Sequence, residues 1–412
     1  MDIMLAKVFE EHRWETAIEN GLGKGIDKTT LRSLTSPQKR IEIYRAIRDG
    51  KYEISPPHIA LIPKEGKNEF RTVYVNEAID RILLSIITEV AFEMYPNWIH
   101  PSCKSYQKGL SCQKTVREVS ELIDARQIAW KADFTKYFDT VPIKFIDECF
   151  DAMQPSAIVD VLRKYYHTDL YFDEENQLKE KYQSLKQGCA FASFLADVVM
   201  FDIDEKLSNL NGYYVRYSDD TLFVGDKARE AMDIMIMELK EFDMTLNPKK
   251  VEWISRDRWF KFLGFSIKGS MISMSKGRLK KFQKEIDSIC NTKGITYKRA
   301  LNKINAYLYK GNGEYSFATS ILNTVNCDYD LHEMNEYVMD SLRGVMTGKK
   351  KIGGLGYVPT QSHGVISRGT GKNVTSNRNK TPKDLPNYIS LYCMKEVLKT
   401  DKDVYRTLTM NM

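Results

Sequence analysis

The sequence predicts an α+β protein in which an antiparallel sheet carries clustered acids and a helical region follows it. Three observations carry that expectation. Two stretches, residues 127–134 (QIAWKADF) and 213–224 (YYVRYSDDTLFV), have the apolar and aromatic content of short strands, the second broken by a tight turn. Between the N-terminal region and the first strand, Ile79, Ile82, Leu83, Ile86, Ile87, Val90 and Met94 recur at the spacing of one helix face. From about residue 275 the pattern is helical: Leu279, Phe282 and Ile286 share a face, and helices over 297–310 and 329–345 complete a small bundle.

The remaining elements follow in order. Residues 1–50 read as helical and polar, interrupted by the glycine-rich GLGKGID. Residues 51–76 read as extended, with Pro56-Pro57 and a turn at EGKN between two apolar runs. Helices are expected over 144–167, 190–208 and 228–243, a polar strand-like region over 170–186, and a further hairpin strand over 259–267. Residues 347–383 change character: eight Lys or Arg stand without one Asp or Glu among many Gly, Ser, Thr and Asn. That composition predicts a flexible basic segment, and the last 30 residues read as partly helical.

Bulk properties bound the function. The 412 residues, 42% hydrophobic and 28% charged, suffice for several subdomains around more than one core. A net charge of +6 permits nucleic-acid binding without demanding it. The seven cysteines include no C-x-x-C pair, so neither a zinc site nor a disulfide framework is expected, and a reducing, cytoplasmic setting fits. The N-terminus lacks the apolar core of a signal peptide. No apolar run approaches the roughly 20 residues that span a bilayer, so no membrane partner is expected.

The chemistry concentrates in Asp133, at the end of one predicted strand, and Asp219-Asp220, at the tip of the predicted hairpin. An Asp pair in a turn is by itself usually a turn-former. Here the flanking strands would lift the pair out of a core sheet beside a second Asp-bearing strand. Burying three acids together without a cation is costly. A phosphoryl-transfer site needs such carboxylates on adjacent rigid strands to hold two divalent ions roughly 4 Å apart. Hard oxygen ligands suit Mg²⁺, and Mn²⁺ can substitute.

These residues carry a family resemblance. Tyr217-Ser218-Asp219-Asp220 resembles the Y-x-D-D signature of reverse transcriptases. Residues 133–139 (DFTKYFD) resemble their first catalytic motif in its group II intron and bacterial form. Gln187-Gly188 with Ser193, LNPKKVEW (246–253), FLGF (262–265), IPKEGKNEFR (62–71), Asp80-Arg81 and SYQKGLS (105–111) complete the bacterial order over residues 20–270. The resemblance implies a right-hand polymerase fold with fingers, a palm of antiparallel sheet plus helices, and a helical thumb. Its expected limits are 1–125 for an N-terminal extension and fingers, 126–270 for the palm, 271–346 for the thumb, and 347–412 for the basic segment and tail.

It also implies roles. Asp133 and Asp219 would be the main metal ligands, with Asp220 assisting, and Phe134 would lie at the metal and nucleotide beside Asp133. Phe138 would be the bulky gate against a ribose 2′-hydroxyl. Lys64 and Arg71 would meet the triphosphate, with Lys67 a weaker candidate. Gln187 and Gly188 would lie against the incoming dNTP. Lys250, or equally Lys249, would protonate the departing pyrophosphate, and the FLGF segment would hold the primer end. Lys349, Lys350, Lys351, Arg368 and Arg378 would bind RNA. The implied enzyme is an RNA-directed DNA polymerase that copies an RNA template, expected to be a structured non-coding RNA, into DNA.

The sequence departs from intron enzymes where Phe194 and Asp197 replace the usual proline and asparagine, and it lacks a C-terminal Cys/His endonuclease. It resembles rather the bacterial enzymes outside mobile introns, many of them anti-phage defence proteins. The alternatives are an intron-type maturase without endonuclease, an RNA-dependent RNA polymerase, and a non-catalytic RNA-binding scaffold. Phe138 and the residue before the acid pair argue against the RNA polymerase, and the intact acids argue against the scaffold.

Overall fold

In a computed structural model, described residues are 1–19, 27–64, 69–107, 109–123, 128–310, 316–347 and 385–410. The basic segment, with Lys349, Lys350, Lys351, Arg368 and Arg378, lies outside them, as do Lys67 and most of GLGKGID. The chain forms two compact units, Met1–Ser111 with Gln127–Ser255, and Cys112–Arg126 with Arg256–Met412.

The first unit opens with four helices, α1 (Ile3–Val8), α2 (Glu11–Glu19), α3 (Lys28–Leu34) and α4 (Pro37–Arg48). Asp2, Asp27 and Ser36 cap the first, third and fourth by accepting backbone N–H groups that have no partner inside the helix. The hairpin β1 (His58–Pro63) and β2 (Phe70–Val75) is antiparallel, and α5 (Ala78–Met94) follows as the apolar spacing predicts. Its buried Asp80 accepts from the Tyr52 hydroxyl at 2.6 Å and the Ser55 N–H at 3.0 Å, which ties the preceding extended segment to the helix.

After β3 (Ala129–Asp133) come α7 (Tyr137–Thr140), α8 (Ile143–Ala152) and α9 (Ala157–His167). The stretch expected to be helical over 144–167 thus forms two helices. Pro155 cannot continue a helix, and Ser156 starts the next one by accepting from the Ile158 N–H. The polar stretch after it yields two three-residue strands, β4 (Leu170–Phe172) and β5 (Leu178–Glu180), which join the first hairpin in the order β2-β1-β4-β5. The helix expected over 190–208 also divides, into α10 (Ala192–Val198) and α11 (Phe201–Ser208). The carbonyls of Ala196 and Asp197 there are taken by the buried Arg216 guanidinium instead of by a following turn.

The hairpin β6 (Tyr213–Tyr217) and β7 (Asp220–Val224), then α12 (Ala228–Glu241) and β8 (Glu252–Ile254), complete the unit. Its central sheet has the order β6-β7-β3-β8, all antiparallel. Trp130, Phe223, Tyr214 and the inner face of α12 bury one side of it in a core continuous with α5 and α10.

In the second unit, β9 (Phe260–Phe262), β10 (Phe265–Lys268) and β11 (Met271–Met274) form an antiparallel meander. FLGF is its first corner: Leu263 and Gly264 both have positive φ, +47° and +80°, the signature of a two-residue type I′ turn. The third strand was not expected, because MISM is short and follows directly on a turn. The helix α6 (Cys112–Ile123), earlier in sequence, packs on β10 and β11. The helices α13 (Lys276–Cys290), α14 (Tyr297–Tyr309), α15 (Phe317–Leu322) and α16 (Asp328–Thr347) form the bundle, joined by two closing helices, Leu391–Thr400 and Lys402–Met410. Leu279, Phe282 and Ile286 are buried in it as their spacing requires. No helix among the described residues is long and apolar enough to cross a membrane.

Candidate active site

Strand register brings the acids together. Asp133, the last residue of β3, pairs with Asp220, the first of β7, while Tyr217 on β6 pairs with the same Asp220. Ser218 and Asp219 therefore form the corner between β6 and β7. Ser218 takes a left-handed φ of +58°, uncommon for a residue with a side chain. The Phe134 N–H donates to the Asp219 carbonyl at 3.3 Å and the Asn247 N–H to the Asp133 carbonyl at 2.8 Å. The two acid-bearing turns and LNPKK are thus stitched together through main chain.

The carboxylates sit in an electrostatically strained position. Burial, then Asp219 and Asp133, push the Asp220 carboxyl up to about 7, with Lys250 and Lys131 opposing. Burial and Asp133 raise Asp219 as well, with Lys250 and Arg71 opposing. Lys250 Nζ donates to Asp133 Oδ2 at 2.5 Å. Of the two lysines left open by the sequence, Lys250 is the one that reaches the acids. Lys249 donates its main-chain N–H to the Asn247 side chain.

Asp133 and Asp219, though not Asp220, line a cleft of about 1440 Å³ together with β1, β2, the 133–139 segment, residues 187–193 and the 247–250 loop. Lys64, Arg71, Phe134, Phe138, Gln187, Gly188 and Lys250 all line it, so the structure brings together residues spread over almost 190 positions. Lys64 Nζ meets Glu69 at 3.3 Å. The Phe134 ring is only 2% exposed and packs edge-on against Tyr137, which leaves its main chain as the part able to face a ligand. Phe138 is half-buried, its ring 5.6 Å from that of Tyr137 and its carbonyl accepting from the Leu185 N–H. Gly188 has φ +106°, and a Cβ there would lie 2.3 Å from Val73 Cγ1 and 2.8 Å from the Tyr74 carbonyl. Only glycine allows this approach, which the Tyr74 N–H to Gln187 carbonyl bond of 2.7 Å fixes.

Sequence reasoning missed the support beneath the turn. Arg216, fully buried on β6, donates from Nε and Nη2 to Asp204 at 2.7–3.1 Å, and from Nη1 to the Ser218 carbonyl at 3.2 Å. Ser105 accepts from the Ser218 N–H at 3.0 Å and donates to Asp197 at 2.6 Å. The available signal was a lone arginine inside an otherwise apolar strand.

The donor set fits a hard divalent cation in kind, being all carboxylate oxygen. Among the described residues no group of three or more acid, His or Cys side chains is placed to hold a metal ion without ligands from elsewhere. Mg²⁺ does not require one, since it keeps waters and shares its shell with substrate phosphates.

Aspartates at the corner of an antiparallel sheet, opening on a cation-lined cleft in an α+β chain, define the class: the palm of a right-hand polymerase. The family model described as reverse transcriptase (RNA-dependent DNA polymerase) matches residues 62–267, half of the chain. The chain belongs to the reverse transcriptase family. No curated protein matches it. Similar solved structures include telomerase from Candida albicans in complex with a fragment of telomeric RNA, at 12% identity and TM-score 0.41, covering 72% of this chain and 60% of that one. Apo telomerase from Candida tropicalis matches at 12% identity and TM-score 0.44, covering 72% and 58%. The chain thus spans about three fifths of the length of these solved chains.

Proposed function

We propose that the chain is an RNA-directed DNA polymerase whose Asp133, Asp219 and Asp220 hold two Mg²⁺ ions. The observation that carries this reading is the register that places Asp133 opposite Asp220 with Asp219 at the adjoining corner. When bound there, divalent ions supply activation of the primer 3′-hydroxyl and charge neutralisation at the departing pyrophosphate. Lys64 and Arg71, on the hairpin across the cleft, bind triphosphate oxygens, Arg71 through its planar fork. Gln187 and Gly188 offer close main-chain approach to the incoming nucleotide. Phe138 fills the space a ribose 2′-hydroxyl would need. Lys250, released from Asp133 when a cation takes that carboxylate, is placed to deliver a proton to the leaving group.

We take the template to be RNA and the product DNA. A dedicated non-coding RNA and an anti-phage role rest on the motif resemblance, and sequencing nucleic acid co-purified with the protein tests them: one structured RNA with complementary DNA supports them, and a random transcript sample overturns them. Seven cysteines without a disulfide fit a reducing, cytoplasmic setting. For the chemistry, primer extension on RNA by the Asp219→Ala, Asp220→Ala double variant should be undetectable, because electrostatic stabilisation dominates phosphoryl transfer. Near-normal extension by a folded double variant would sink the assignment.

A further inference from the structure

The corner that carries Asp219 and Asp220 is held by Arg216 and Ser105, which do not line the cleft, and by Tyr106, which does. Ser218 stands immediately before both acids, in a left-handed backbone conformation that a residue with a side chain keeps only where its surroundings impose it. Every polar atom of Ser218 is engaged. Its N–H donates to Ser105 Oγ at 3.0 Å, its carbonyl accepts from Arg216 Nη1 at 3.2 Å, and its hydroxyl accepts from the Tyr106 hydroxyl at 3.2 Å.

These partners are themselves fixed. Ser105 and Arg216 are fully buried. All five N–H groups of the Arg216 fork have acceptors: Asp204 twice, and the carbonyls of Asp197, Ala196 and Ser218. The Arg216 main chain is bridged to the segment that carries Ser105 and Tyr106, through Arg216 N–H to the Ser102 carbonyl at 3.0 Å and Lys104 N–H to the Arg216 carbonyl at 2.8 Å. The Ser105 hydroxyl is oriented by donating to Asp197, so its lone pair is turned to the Ser218 N–H. Only Asp197 Oδ2 in this buried network lacks a hydrogen-bond partner, and the bonds around Arg216 and Ser105 restrict the corner to few low-energy arrangements.

We propose that Arg216, Ser105 and Tyr106 are positioning residues that lock the Ser218 backbone and thereby set the divalent-cation affinity of Asp219 and Asp220. This rests on reading the acids as cation ligands. Two carboxylates that repel each other splay apart when their turn is free. A turn fixed at the preceding residue holds them where a cation can bridge them, and the groups that orient ligands typically contribute tenfold or more to affinity.

The test is Mn²⁺ binding to the full chain, followed by the electron paramagnetic resonance signal of free Mn²⁺, with the Mg²⁺ dependence of primer extension alongside. Ser105→Ala removes the acceptor of the Ser218 N–H and should weaken Mn²⁺ by about tenfold. The Mg²⁺ concentration for half-maximal extension should rise in step, with turnover recovering at saturating Mg²⁺. Ser120→Ala is the control for lost stability. Ser120 is also buried and its hydroxyl donates to the Arg117 carbonyl within α6, so the Mn²⁺ affinity of this variant should stay at the wild-type value. If Ser105→Ala does not fold, Tyr106→Phe, at a residue 47% exposed, removes the donor to Ser218 Oγ and should weaken Mn²⁺ by up to about tenfold. Wild-type affinity in Ser105→Ala or, failing that, in Tyr106→Phe overturns the inference, as does an equal loss in Ser120→Ala. Wild-type protein that binds no Mn²⁺, or binds it equally without Asp219 and Asp220, overturns the cation-site reading itself and this inference with it.

Discussion

If the acid cluster is built for a cation, it should weaken the fold when no cation is present, and Asp220→Asn reads that cost. The Asp220 carboxyl has an ordinary value of 3.8 and is pushed up to about 7 in the folded chain. The native state therefore keeps its proton over a range where the unfolded chain has released it. Stability from this group is fully present below pH 3.8, declines as pH rises, and is lost once pH passes about 7. At about 1.4 kcal/mol per unit, the shift sets an upper limit of roughly 4 kcal/mol. Three neighbouring acids share the strain and solvent screens the cleft, so about 1–2 kcal/mol is the working figure. For a unit of this size that corresponds to roughly 2–8 °C. Asn keeps the shape without the charge, so Asp220→Asn should melt higher than wild type by that amount at pH 8 in chelator, and the gap should close toward pH 4. Added Mg²⁺ should raise the wild-type melting temperature and move the variant less. An advantage for the variant that is absent at pH 8, or equal at both pH values, would refute the reasoning.

Three further outcomes follow from the cleft and the sequence. Gly188→Ala combines a left-handed φ with a Cβ 2.3 Å from Val73, so it should destabilise by about 2–4 kcal/mol in a denaturant titration and raise the KM for dNTP; wild-type stability would mean that the close approach is wrong. Phe138→Ala should raise the efficiency of ribonucleotide relative to deoxynucleotide incorporation by about tenfold, and an unchanged ratio would make the ring core packing only. Neutralising Lys349, Lys350, Lys351, Arg368 and Arg378 should weaken RNA binding across sequences and flatten the slope of log affinity against log salt by about 0.7–0.9 per lost phosphate contact; an unchanged slope would make the segment a tail.

The strand that ends in Asp133 and the hairpin that turns at Ser218 were legible because both are short, apolar and bounded by turn-formers, and a two-residue periodicity tolerates little else. The long helix α5 was legible from its apolar stripe. What was not legible arose where tertiary contacts replaced local ones. The break between α10 and α11 has no glycine or proline to announce it, since Arg216, distant in sequence, takes the carbonyls that a continuing helix would use. The division of α8 from α9 was written in Pro155 and passed over because the apolar pattern continues on both sides. Which lysine meets Asp133 could not be read from LNPKK, because adjacent residues differ only in direction, and the main-chain bond from Asn247 to Asp133 decides it.

The positions that break local rules converge on one corner of one sheet. Arg216 places a cation inside an apolar strand, Ser218 holds a left-handed backbone, and Asp219 and Asp220 face one another's charge. Separately each is a cost: a buried ion pair seldom adds net stability, and a well-packed apolar group in place of Arg216 would serve the core as well. Together they are economical, because the same guanidinium that neutralises Asp204 also holds the carbonyl of the residue before the acids. Exceptions to local preference that share hydrogen bonds in this way mark a site where geometry is the product, and strain is tolerated where chemistry needs it. On that ground the Arg216 network is better read as the positioning support of the proposed cation site than as part of the core it is buried in.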